Sequence, residues 1–167
     1  MTLYANQTTV PIDRSKAEIE RILTRYGAIQ FIHGWKEGMA VVGFQMKGKF
    51  LRFNLPVPAV VDFKKLTATR HNWRTGRNTT HERTRSDSAA AQAWEKDVRS
   101  RWRALALIIK AKLEAVESGV TMFEEEFLAH FVLPDGKTFG QHALPAIEQA
   151  YRDKKMPPLL GFMGDSK

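Results

Sequence analysis

Residues 89–118, AAAQAWEKDVRSRWRALALIIKAKLEAVES, decide how the rest of the chain is read. Trp94, Val98, Trp102, Leu105, Ile109, Leu113 and Val116 recur every three or four positions, which lines one face of a helix with apolar side chains. At about 100° per residue, Lys96, Arg99, Arg103 and Lys110 fall together on the opposite face. The stretch lacks Gly and Pro and is rich in strong helix formers. Gly119 stops it, and Ser86, Asp87 and Ser88 each offer an N-cap. A long helix with a greasy face needs a sheet to cover, and a cationic face needs water or anions.

The 167 residues suffice for one domain with a proper core, and 43% hydrophobic residues is globular composition. Cys 0 excludes disulfides, thiolate metal sites and a cysteine nucleophile. No apolar run is long enough to span a bilayer, and Asn6, Gln7 and Thr8 are polar where a signal peptide is apolar. No membrane partner and a cytoplasmic location are therefore expected. The net charge of +8 and pI ≈ 9.9 favour a polyanion as partner. Residues 64–88 hold seven basic residues against two acidic ones, a surplus of five, so the charge is concentrated.

Taken in order, residues 3–12 read as a strand. Ser15-x-x-Glu18 reads as a capping box opening a helix over residues 16–26, with Gly27 as its stop. Residues 28–33 form a strand with Ile29 and Phe31 on one face, and residues 35–38 a loop. Residues 39–46 place Ala40, Val42, Phe44 and Met46 on one side. Lys47-Gly48 is a hairpin turn, and residues 49–55 set Leu51, Phe53 and Leu55 inward. The other sheet face offers Gln30, Gln45, Arg52 and Asn54. Residues 67–88 show no apolar period and read as a long mobile basic loop, with room for an extra hairpin around residues 75–78. Thr121-x-x-Glu124 reads as a cap for a short acidic helix. Pro145 suits the first turn of a last helix over residues 144–152, with Ile147 and Tyr151 inward. Residues 156–167 form a tail. The expected fold is α+β, a single domain over residues 1–155. An antiparallel sheet of about four strands, in the order β-α-β-β-β-α-α-α, is covered on one face by the long helix.

Two blocks carry a resemblance. One is Val10-Pro11-Ile12-Asp13-Arg14-Ser15 with Ala17-Glu18-Ile19-Glu20 and Tyr26-Gly27-Ala28. The other runs from Arg101-Trp102-Arg103-Ala104-Leu105-Ala106-Leu107 through Lys112-Leu113-Glu114-Ala115 to Phe123-Glu124-Glu125-Glu126-Phe127-Leu128. Together they resemble a family of small proteins of tailed bacteriophages and prophages, over most of the chain except the basic loop. The resemblance carries no activity onto any residue. It implies a setting, the bacterial cytoplasm during phage replication, and with it a role in DNA or RNA handling.

The candidate binding residues lie mainly in the basic loop. Arg70, Arg74, Arg77, Arg83 and Arg85 grip phosphate through a planar fork, and Trp73 and His71 among them suit stacking on an unpaired base. Lys96, Arg99 and Arg103 of the long helix and Arg52 of the sheet extend the same footprint. These point to a non-catalytic nucleic-acid-binding accessory protein, for single-strand binding or annealing in replication or recombination, able to form a homo-oligomer. One alternative is an interaction protein that grips an acidic partner through the loop. Another is a Mg²⁺-dependent nuclease in which Glu124, Glu125, Glu126 and His130 share a helix, completed by Glu37, Asp62 or Asp135. No phosphate-binding, dinucleotide or serine-hydrolase motif is present, and no cofactor is expected.

Overall fold

A computed structural model describes residue 5, residues 8–36 and residues 38–155, with the side chains of Lys36, Ala68, Arg70 and Asn72 outside that description. The elements are α1 (Ile12–Arg25), β1 (Ile29–Lys36), β2 (Met39–Met46), β3 (Lys49–Pro56), a 3₁₀ turn (Val60–Phe63), β4 (Lys65–Asn72) and β5 (Arg77–Thr84). They continue with α2 (Asp87–Glu117), α3 (Phe123–Phe127), a second 3₁₀ turn (Leu128–His130) and α4 (Phe139–Asp153). The fold is α+β, built on an antiparallel sheet ordered β1-β2-β3 and a separate two-stranded pair, β4-β5.

The central hairpin forms as its alternation dictates. Lys47 and Gly48 take φ of 49° and 74°, the positive values that a two-residue type I′ turn needs. Ala40, Val42 and Phe44 of β2 and Leu51 of β3 are fully enclosed, and Met46 and Phe53 nearly so. The outer edge of β3 is met by a segment from the C-terminal half. Phe131 bridges to Leu51, and Val132 N–H donates to Phe50 O at 2.8 Å. Among the described residues, that segment is what lies beside β3.

The long helix caps and packs as its sequence indicates. The Ser86 hydroxyl accepts the Ala89 N–H at 3.2 Å, and Gly119 takes a φ of 72° just past the C-terminus. Its 31 residues span about 46 Å. Val98, Trp102, Leu105, Ile109 and Leu113 are buried against Val42, Phe44, Leu51 and Phe53, with Ile19 and Leu23 of α1 and Phe123 and Phe127 of α3 closing the same core. Fully burying side chains of this size contributes about 1.5–3 kcal/mol each.

Several expectations need correcting. The described part of the expected N-terminal strand is not strand: residue 5 lies in a turn, residues 8–11 have no regular structure, and Ile12 already opens α1, while residues 3, 4, 6 and 7 lie outside the described residues. Pro11 explains this, because its fixed φ of −59° suits the N-cap of a helix. Ser15 is therefore inside α1, fully buried, with no partner for its hydroxyl among the described residues, so no capping box forms there. β1 runs on to Lys36, through the first half of the expected loop, and is bulged between Ile29 and Ile32, with Gln30 at φ 57°. The bulge breaks the alternation, leaving Ile29 60% exposed while Phe31 packs on the core. α3 starts after Met122 with no side-chain cap, so the Thr121–Glu124 box is also absent. α4 starts five residues early. Thr138 and Gln141 form its capping box, Pro145 sits inside the helix, and Ile147 and Tyr151 are exposed. It docks through its first turns, where Gly140 lies so close to Ala129 that a Cβ would be 2.9 Å from the Ala129 carbonyl oxygen. The tail at residues 156–167 lies outside the described residues.

The largest correction concerns the mobile loop. Residues 65–84 are an ordered hairpin in continuous register, from Lys65 opposite Thr84 to Asn72 opposite Arg77. The turn is residues 73–76, with Gly76 at φ 64°, close to where the sequence left room for one. Thr67, Thr69, Thr79 and Thr80 supply the β-branched side chains that favour strand.

Candidate nucleic-acid interface

The β4–β5 hairpin stands out from the domain as an arm. Every residue of β5 is exposed, so neither face of the ribbon is packed on the core. Eight residues per strand give it a length of about 27 Å. Its base is fixed on the 3₁₀ turn. Arg85 N–H donates to Lys64 O at 2.8 Å, and Arg85 Nη1 donates to Phe63 O at 3.2 Å. Lys64 Nζ lies 2.8 Å from Asp87 in the first turn of α2, and this partner holds the Asp87 carboxyl below the usual range. Lys64 and Arg85 thus anchor the arm.

Beyond the base the cations project outward. Alternation places Arg77, Thr79, His81 and Arg83 on one face of β5 and Asn78, Thr80, Glu82 and Thr84 on the other. Among the described residues no carboxylate pairs with Lys65, Arg77 or Arg83. On the second face the His71 Nδ1–H donates to Asn78 Oδ1 at 2.7 Å, which braces the ribbon across its strands. At the tip Trp73 is 81% exposed, with the Arg74 guanidinium 5.4 Å from its ring centroid. Arg70 stands in β4 opposite Thr79.

The other sequence candidates are placed differently. Arg103 Nη1 meets Glu18 Oε2 of α1 at 2.5 Å, and both side chains are about three-quarters buried. Arg99 is half-buried, its Nε enclosed without a hydrogen-bond partner among the described residues. Lys96 remains exposed on α2. Arg52 donates through Nη1 to Gly136 O at 2.9 Å and through Nη2 to Gln141 Oε1 at 3.0 Å, fastening the 133–137 turn and the first turn of α4 to the sheet. The outer sheet face is further occupied by the Phe50 ring, whose Cζ would lie 2.9 Å from a Cβ at Gly43. The structure therefore brings Trp73, Arg74, Arg77 and Arg83 together on the arm and commits Arg52, Arg85 and Arg103 to holding the fold. His81 joins the arm surface unforeseen, beside Lys65 and Thr79, which belong to the basic segment read from sequence. The period of two in residues 77–83, once read as strand, puts Thr79 and His81 with the two arginines.

The acidic helix is tied down as well. Glu124 pairs with Lys49 at 3.0 Å, which lowers its pKa, and Glu126 pairs with Lys112 at 2.7 Å. His130 stacks on Phe53 with ring centroids 3.9 Å apart, and burial lowers its pKa. Asp62 accepts the Ala59 N–H at 3.0 Å, and Asp135 lies 2.6 Å from His142. No group of three His, Asp or Glu side chains among the described residues could hold a metal ion. No described helix is long and apolar enough to cross a membrane.

Fold and site together define an α+β domain that carries a basic two-stranded arm. No family model, curated protein or solved structure compared with the chain matches it.

Proposed function

We propose that the protein is a non-catalytic nucleic-acid-binding accessory protein whose contact element is the β4–β5 arm. The observation that supports this best is Trp73, 81% exposed at the tip beside the guanidinium of Arg74. A large ring held in water beside a cation is costly for a monomer and useful to a nucleobase, whose π-face stacks on it. Arg77 and Arg83, exposed behind it, supply phosphate contacts. The resemblance of two blocks to phage proteins supports a role in phage replication or recombination.

The test is a titration of labelled oligonucleotides by fluorescence anisotropy across a salt series. The logarithm of the binding constant should fall linearly with the logarithm of salt, by about 0.7–0.9 for each phosphate contacted. Affinity indifferent to salt, or no binding at all, would overturn the proposal. Nuclease treatment of the purified protein separates it from the interaction-protein alternative. A stoichiometric acidic protein that stays bound after digestion, with no nucleic acid retained, favours that alternative.

A further inference from the structure

The proposal above leaves open which form of nucleic acid the arm takes. The expectation from sequence was a single strand, resting on a flexible loop wrapping bases. Resting on the same proposal, we infer that the ligand is a duplex and that the arm lies along its major groove. The face of Arg77, Thr79, His81 and Arg83 turns to the base edges, and Trp73 at the tip stacks on a base at a step unstacked where the contact ends.

Shape is the first argument. A two-stranded ribbon has its strands about 4.8 Å apart and, with side chains, fits a groove about 12 Å wide and about 8.5 Å deep. The arm's length of about 27 Å covers about eight base pairs at 3.4 Å each. A single strand gains nothing from a straight, braced rod of that length.

The distribution of rings is the second argument. Sequence-tolerant single-strand binding uses successive aromatic side chains on which successive bases stack. Trp73 is the sole Trp, Tyr or Phe between residues 65 and 84, and it stands in the turn. Nor does the outer sheet face serve as a platform, because Phe50 lies over Gly43 and Arg52 is bound to Gly136 and Gln141.

Polarity is the third argument. One face of β5 presents Arg77, Thr79, His81 and Arg83, all groups that donate hydrogen bonds to base edges or phosphates. The other presents Glu82, a carboxylate that phosphates repel, with Lys65 only at the base of the arm and His71 and Asn78 bonded to each other. Arg77 and Arg83 are six residues apart on the same face, about 20 Å, so they meet the groove near opposite ends of the contact. A two-faced ribbon of this kind enters a groove in one orientation only.

The experiment is a competition between duplex and single-stranded DNA of the same sequence, about 30 nucleotides long, at one fixed salt concentration. The full-length protein is compared with Arg77→Glu/Arg83→Glu and with a variant whose residues 66–83 are replaced by a short Gly-Ser turn. Duplex should be preferred by about tenfold or more, and glucosylated 5-hydroxymethylcytosine, which fills the major groove, should abolish the preference. The double Glu variant changes only exposed positions, so it reports on the arm even if the shortened variant fails to fold. Equal or tighter binding of the single strand, lost in the double Glu variant, overturns the duplex inference and leaves the arm as the nucleic-acid contact. Duplex binding that is unaffected by the groove-filling base also overturns it. Binding of both forms that survives the double Glu substitution overturns this inference and the proposed function together.

Discussion

The arm and α2 are both rich in arginine and lysine, yet they use their charge in opposite ways. On α2 three of the cations are drawn into the fold. Arg103 meets Glu18, Arg101 meets Asp97 and the Pro56 carbonyl, and Lys112 meets Glu126. At the base of the arm Lys64 meets Asp87 and Arg85 meets the Phe63 carbonyl, while among the described residues no carboxylate pairs with Arg77 or Arg83. The difference lies in the apolar residues. The stripe from Val98 to Leu113 fixes α2 against the sheet, and docking brings the acids of α1 and α3 within reach of the flanking cations. β5 has no buried residue, so nothing carries carboxylates to it. Basic composition alone does not tell a binding surface from a brace, whereas packing does.

The contrast can be broken most severely through Trp102, which is 2% exposed in the α2 stripe. Trp102→Ala should cost about 3–5 kcal/mol in a denaturant titration, while Thr80→Ala in the arm stays within about 0.5 kcal/mol. Equal losses would mean that the arm is part of the core. Next, Trp73→Ala should leave the denaturation midpoint unchanged and weaken nucleic-acid binding by about 1–3 kcal/mol, read by anisotropy. Glu18→Ala strands the mostly buried Arg103 and should lower stability by about 1–2 kcal/mol without altering affinity. Smaller still, Arg77→Ala should reduce the salt slope by about 0.9, and Arg103→Ala should not change it.

The smallest effect is a pH dependence on the packed side. Burial lowers the His130 pKa, so the unfolded chain takes up a proton that the folded ring refuses. This contribution is complete above the ordinary histidine value and is lost as pH falls through the folded one. Thermal melts between about pH 7.5 and pH 5 should show a drop that is reduced in His130→Gln.

The parts of the fold legible in sequence are those with contrast between a buried and a wet side. β2, β3 and α2 alternate or repeat against the core, and their boundaries and inward residues follow from that. The arm has no such contrast, since a strand wet on both faces writes no period, and Thr-rich sequence between Lys65 and Thr84 reads as loop. Pro145 drew the last helix to begin too late, although Thr138-x-x-Gln141 marked its true start. The bulge at Gln30 leaves no mark in composition. In the site, the cluster of arginines around Trp73 was legible. The fate of Arg103 was not, because its partner Glu18 lies 85 residues away in sequence. Arg52 likewise meets Gln141 across 89 residues.

Only Arg85 and Ser86 separate the end of β5 from the first turn of α2. The ribbon is therefore a lever whose fulcrum is the pair of bonds from Arg85 to Lys64 and Phe63. A load at the tip passes with no slack into the backbone at the Ser86 cap. From there it reaches the head of a rod that runs along the core, so a pull on the tip is felt at its root.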